Sequence, residues 1–226
     1  MARIEPVPVV LDAAETSARL CLDPRLAASA IFEDLLRQAQ ELSAPQALWD
    51  VAYIGAKGEG TVEVGGVTMA SPVLRGQLDG INKVFPFIVT VGPALERAAG
   101  AQDDLLKQYY LEEMANLALE KAAARLAAAI EARFGLGPLS SLSPGSLADW
   151  PITEQPKLFS LLGDTERLVG VRLTESLLML PRKSISGLFF PSEEGFSACQ
   201  LCDRERCPGR KAPFSAPPSR SIKESL

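Results

Sequence analysis

Apolar positions along the chain form short extended runs near both ends and one long helical stretch between them. Alternating Pro, Val and Ile in the first ten residues predict a leading strand. At Cys21-Leu-Asp-Pro a helix is predicted to open, with Asp23 as N-cap and Pro24 at its first position. Ile31, Leu35, Leu36 and Leu42 give it an apolar stripe. Trp49 to Ser71 reads as β-structure, and Thr61-Val-Glu-Val-Gly-Gly-Val-Thr-Met holds two alternating runs around Gly65-Gly66, the pattern of a hairpin. Val84 to Val91 is continuously apolar and predicts a strand buried on both faces. Pro93 starts a short helix that continues over Ala94 to Ala99.

Asp103 to Phe134 predicts the longest helix. Asp103 and Asp104 favour its start, Gly135 ends it, and alanines over Ala122 to Ala129 allow close approach by another element. Gly137 to Ser146 is a loop by composition. Thr153 is placed to cap a short helix through Leu162. Leu168 to Leu173, Leu177 to Met179 and Ser184 to Phe190 read as strands. Because strands and helices do not alternate regularly, the expected class is α+β with a mixed or antiparallel sheet.

The chain has 226 residues, enough for one sizeable core with a small appendage. The expected division is a main domain over 1–197 and a Cys-rich segment over 198–226, with a Pro/Ser-rich, mobile tail after Lys211. The net charge of -5 offers no general attraction to nucleic acid or anionic membrane, and neither is an expected partner. No apolar run is long enough to span a bilayer, and no signal peptide is evident, so the expected location is the cytoplasm. The chain has no histidine. That excludes a Ser-His-Asp triad, a Cys-His pair and any imidazole metal ligand.

Three stretches share a pattern. The first is Phe85-Pro-Phe-Ile-Val-Thr-Val-Gly-Pro, followed by the long helix with Glu120. The second is Leu142-Ser-Pro-Gly-Ser-Leu-Ala-Asp-Trp-Pro, running into Gln155 and Leu158-Phe-Ser-Leu-Leu162. The third is Leu173-Thr-Glu-Ser-Leu-Leu-Met-Leu-Pro181 with Lys183-Ser-Ile-Ser-Gly187. Over roughly residues 45 to 197 the chain resembles the activation domain of vitamin B12-dependent methionine synthase, and also free-standing corrinoid activation proteins. The resemblance implies a bent, mainly antiparallel sheet with flanking helices, one of them long. It implies binding of S-adenosylmethionine and docking over the corrinoid of a partner. There one electron plus the methyl group returns cob(II)alamin to methylcobalamin. The expected partners are therefore a cobalamin-binding protein or methyltransferase and an electron donor. A chain without histidine cannot carry a D-x-H-x-x-G cobalamin motif, so cobalamin is expected to arrive on the partner.

By position, the resemblance assigns Ser143, Pro144 and Gly145 to the loop that meets the cofactor, Glu120 to a helix contact, and Phe196 to a family aromatic. Two positions depart from the family pattern. Its loop opens with an arginine and ends in tyrosine, whereas this chain has Ser141 and Ser146. The arginine would pair with the carboxylate of S-adenosylmethionine, a contact worth about 1.5–3 kcal/mol. Arg75 and Arg172 are candidates to replace it.

Near the C-terminus Cys199, Cys202 and Cys207 have the spacing C-x2-C-x4-C among basic residues. This pattern suits thiolate ligation of an iron–sulfur cluster or zinc. A redox dithiol and plain structural thiols are the other readings. Spacing does not decide the metal; the electron required by the resemblance favours iron–sulfur. A fourth ligand would have to be Cys21 or come from outside, although Cys21 alone reads as a buried thiol. Glu113, Asn116 and Glu120 share one helix face, which is either a solvated surface or a cofactor edge. Lys183-Ser-Ile-Ser-Gly is either a phosphate-contacting turn or a strand with a bulge at Gly187. Trp49 and Trp150 read as packing anchors. Three roles fit these features: a reactivation protein using S-adenosylmethionine, a binding module of the same fold with a zinc knob, and an iron–sulfur activator without S-adenosylmethionine.

Overall fold

The computed structural model of the chain describes residues 2–192, 198–202, 204–207, 210 and 212–215. Its elements, in chain order, begin with β1 (Arg3–Pro6), α1 (Ala13–Arg19), α2 (Pro24–Ala27) and α3 (Ala30–Leu42). Next come β2 (Gln46–Trp49), β3 (Ala52–Lys57), β4 (Thr61–Val64), β5 (Val67–Ala70) and α4 (Pro72–Gln77). The middle of the chain holds β6 (Lys83–Thr90), α5 (Pro93–Gly100), α6 (Leu105–Phe134) and β7 (Leu139–Leu142). It closes with α7 (Gln155–Ser160), α8 (Thr165–Val169), β8 (Arg172–Leu173), β9 (Met179–Leu180) and β10 (Ser184–Pro191).

An eight-stranded sheet organises the fold, with all its pairings antiparallel, and β6 lies at its centre. On one edge β6 pairs with β10, which pairs in turn with β7. On the other edge β2 and β3 lie end to end, β2 against 87–90 and β3 against 83–84. Between them Asp50 and Val51 leave the ladder opposite Pro86. Proline has no N–H to offer, and its carbonyl accepts from the Asp50 amide at 3.1 Å. The expected α+β class and bent antiparallel sheet are what the chain adopts.

Both faces of β6 are covered, as its apolar run predicts. Phe85, Phe87 and Val89 join α3, α5 and α6 in one core. Val84 joins Leu142, Leu188, Phe190 and Trp150 in a second core on the opposite face. Trp49 and Trp150 are both fully buried anchors. The Asp104 carboxylate accepts from the Leu106 and Lys107 amides and starts α6; Gly135, in the left-handed region, ends it. Gly65 and Gly66 both have positive φ and turn the β4–β5 hairpin.

Several elements differ from expectation. The predicted first helix is two helices, because Ser29 caps a new one by accepting from Phe32 N–H. Ile31 consequently faces solvent and Phe32 takes the core position. Ala13–Arg19 is helical without an apolar stripe. Leu168-Val169 ends α8 at Gly170 instead of forming a strand. The Gly/Pro/Ser loop contains β7. Of the residues described after Lys211, Phe214 is exposed and Ser215 N–H donates to the Gln200 carbonyl at 2.8 Å. No helix among the described residues is long and apolar enough to cross a membrane.

Candidate functional site

The three stretches that carry the resemblance are neighbours in the sheet. β6 contributes the first, β7 and its loop the second, and β10 the third. Gly187 brings the last two together. A Cβ at Gly187 would lie 2.4 Å from the Leu142 carbonyl oxygen and 2.9 Å from Ser143 Oγ. The register of β10 against β6 runs through Gly187 without a shift, so this glycine is a close-approach point and not a bulge. It stands opposite Phe87, whose ring stacks diagonally on Phe189 at 3.8 Å.

The Ser143–Gly145 loop is tightly built. Gly145 has φ 81°, and its N–H donates to the Trp150 carbonyl at 2.7 Å. Ile152 packs where a Gly145 Cβ would stand. Pro144 is buried, Ser143 half-buried and Gly145 exposed. Ser146 turns its hydroxyl inward to the Ser143 carbonyl at 2.6 Å, and Ser141 is exposed on the edge strand.

On the other side of β10's leading residues, Arg182 and Lys183, α6 carries a connected polar stripe. Arg19 of α1 donates to Glu120 at 3.0 Å and Glu113 at 3.4 Å. Glu113 accepts from Asn116 at 2.8 Å, and Asn116 accepts from Lys183 at 2.9 Å. Lys183 also donates to Glu112, which accepts from Arg182, and Arg182 donates to Glu96. Burial pushes the Glu112 carboxyl up, but hydrogen bonds and charge from Lys183 and Arg182 outweigh it and hold the group below its ordinary value. Burial lowers the Arg19 guanidinium, and the Glu120 and Glu113 carboxylates more than reverse that. The Lys183-Ser-Ile-Ser-Gly segment is therefore a strand start with committed polar groups: Lys183 serves α6, and Ser184 Oγ bonds Thr90 Oγ1 and the Pro181 carbonyl.

α6 and β10 run in the same direction. Lys183 bonds Asn116 at one end, and at the other Leu139, paired with Pro191, donates its amide to Glu131 at 2.8 Å. From the Lys183–Asn116 bond, Glu120 lies four residues or roughly 6 Å along the helix. Gly187 lies four residues or roughly 13 Å along the strand. The offset between Glu120 and the Ser143–Gly187 contact is therefore roughly 7 Å along this axis.

The other expected residues stand apart. Arg75 pairs with Asp79 and Arg172 with Glu166. Phe196 lies outside the described residues. A cavity of about 510 Å³ at the β2–β3 break is lined by none of the expected site residues, and one of about 500 Å³ is lined by Arg172 together with Glu96, Arg97 and Arg182. Cys21 is exposed, not buried, because it sits at positive φ in the turn between α1 and α2.

Cys199, Cys202 and Cys207 are half-buried in a C-terminal loop, and none is in a disulfide. The loop is held by Arg210, whose guanidinium donates to the carbonyls of Cys199 (3.0 Å), Cys202 (3.2 Å), Ala212 (3.4 Å) and Arg204. Among the described residues no three Cys, Asp or Glu side chains gather into a set that could hold a metal.

This fold, a bent antiparallel sheet crossed by one long helix, is similar to that of the methionine synthase reactivation domain. A crystal structure of the MetH reactivation domain bound to AdoHcy matches with a TM-score of 0.61. The match covers 88% of this chain and 81% of that one at 17% identity. The model of the family described as the vitamin B12-dependent methionine synthase activation domain matches residues 142–205. That segment includes the Ser143–Gly145 loop, β10, Cys199 and Cys202. No curated protein matches the chain. The resemblance read from the sequence is thus borne out for the fold and for this segment. Sequence reasoning missed Arg19. It sits in a helix with no apolar periodicity, and nothing local signals that it meets α6.

Proposed function

We propose that the chain is an accessory protein for reductive reactivation of a partner's corrinoid, binding S-adenosylmethionine in the groove between α6 and the Ser143–Gly145 loop. The partner, a cobalamin-binding protein or methyltransferase, brings the cob(II)alamin, and a separate donor supplies one electron. The carrying observation is that the fold is like that of a domain crystallised with AdoHcy, and that Gly187 holds the Ser143 loop against β10, whose leading Lys183 is tied to α6 one turn before Glu120. Gly187 leaves room beside Ser143, Glu120 supplies a carboxylate for an ammonium, and the loop's shape is fixed by Gly145 and Trp150. Phe196 is carried as a cofactor contact by resemblance alone. The chain works in the cytoplasm on this reading, with residues 1–197 as the activation-like domain and 198–226 as the Cys-rich appendage.

Calorimetry with S-adenosylmethionine tests the reading. Micromolar binding that is weakened by Gly145→Val supports it. Silence at millimolar ligand removes the methyl-donor role.

A second reading is favoured by Ser141 and Ser146, which lack the charge and ring of the family pattern. It is a corrinoid-protein binding module without the methyl donor, with Cys199, Cys202 and Cys207 as a zinc knob. Iron, sulfide and zinc counts on anaerobically prepared protein and on Cys199→Ala decide whether those thiols hold any metal. Iron with sulfide, lost in the variant, would instead favour an electron-transfer activator.

A further inference from the structure

Arg19 brings to the Glu113–Glu120 face of α6 a guanidinium that the resemblance does not assign. Its Nη2 lies 3.0 Å from Glu120 and its Nε 3.4 Å from Glu113, while 33% of the Arg19 side chain and 37% of Glu120 remain exposed. An ion pair this exposed adds little to stability. It is open to a ligand that can share it. The neighbouring cations pair with other carboxylates: Lys183 with Glu112, Arg182 with Glu96 and Glu112, and Lys121 with Glu15.

The methionyl end of S-adenosylmethionine is a zwitterion, with one carboxylate and one ammonium on the same carbon. A guanidinium flanked by two carboxylates is its complement. The planar fork accepts the carboxylate through paired N–H donors, and the acidic groups accept the ammonium. Ser141, an exposed hydroxyl on β7, cannot supply that charge. Resting on the proposed function above, we infer that Arg19 is the specificity residue that receives the α-carboxylate of S-adenosylmethionine, with Glu113 and Glu120 receiving its ammonium. The first helix thereby replaces in this chain the cation that the Ser143 loop lacks.

The test compares S-adenosylmethionine with decarboxylated S-adenosylmethionine, which keeps the sulfonium and ammonium and loses only the carboxylate. Calorimetry is run on wild type, Arg19→Ala, Arg19→Lys and Arg37→Ala. Wild type should prefer the carboxylated ligand by roughly tenfold to a hundredfold. Arg19→Ala should bring that ratio near one, Arg19→Lys should keep part of it, and Arg37→Ala, an exposed pair on α3, should leave it unchanged. The ratio reports the carboxylate contact even if the variant loosens α1, because loosening alone weakens both ligands together. Tight binding with an unchanged ratio in Arg19→Ala overturns this inference and leaves the proposed function standing. No binding of S-adenosylmethionine to wild type overturns both.

Discussion

Lys183 donates to Asn116 across 2.9 Å, joining the residue that leads into β10 to the middle of α6. The same ammonium reaches Glu112 one turn earlier at 3.1 Å, and only 11% of the Lys183 side chain is exposed. This contact fixes how far the helix has travelled when the strand reaches Gly187. It therefore sets the spacing between Glu120 and the Ser143 loop. A charge this enclosed holds its place only while its carboxylate partner is ionised.

That dependence gives a pH signature. The Glu112 carboxyl sits below its ordinary value of 4.5 in the folded chain. It binds a proton more weakly folded than unfolded. Its stabilisation is therefore fully present above the unfolded value and is lost as pH falls through the folded one. Glu112→Gln should lower stability at neutral pH by roughly 1–3 kcal/mol, since Lys183 keeps only Asn116. The gap from wild type should narrow as the buffer drops below pH 4.5. Urea melts of both proteins across acid pH measure it. A gap that stays constant into strong acid would show that Glu112 acts through packing and not through charge.

Gly187 and Gly76 predict opposite responses to the same substitution. An added Cβ at Gly187 meets the Leu142 carbonyl at 2.4 Å, a backbone atom of the edge strand that cannot step aside alone. Gly187→Ala should cost roughly 1–3 kcal/mol and should displace Ser143, weakening any ligand held by the loop. Gly76 lies exposed in α4 with nothing within 4 Å of its Cβ position. Gly76→Ala should stabilise the chain by about 0.5–1 kcal/mol, because the helix no longer has to order a glycine. Urea midpoints for the two variants should move in opposite directions.

What the sequence made legible follows from how local each signal is. β6 was readable because both its faces are buried, so the run is apolar throughout. The β4–β5 turn was readable because two glycines must take positive φ. α6 carried its own start and stop in Asp104 and Gly135. β7 was not readable, because Leu139-Ser-Ser-Leu142 becomes a strand only by pairing with β10. α1 was not readable either: it buries Thr16 alone, and its place is set by Arg19, Glu15 and the neighbouring Leu20 meeting α6. The same division runs through the site. The Ser143–Gly145 loop has a motif of its own. Its relation to Glu120 depends on β10 lying between them, and the Arg19–Glu120 pair joins positions 101 residues apart.

The C-terminal loop tests whether a guanidinium or a metal holds three cysteines in place. Arg210 donates to four backbone carbonyls, two of them on Cys199 and Cys202. A lysine at this position would keep the charge, but one ammonium cannot span four acceptors set around a planar fork. If Arg210 organises the loop, Arg210→Lys and Arg210→Ala should both speed hydrogen exchange at the amides of Ala198 to Cys202. Exchange in β10 should not change, because its amides belong to the sheet. Chelators should then have no effect on the wild-type loop. If thiolates on a metal hold the loop instead, the ranking reverses. Chelation, or Cys199→Ala, would release those amides, and Arg210→Ala would leave them protected. Exchange mass spectrometry on the full chain, with and without chelator, separates a peptide knob built around an arginine from one built around a metal.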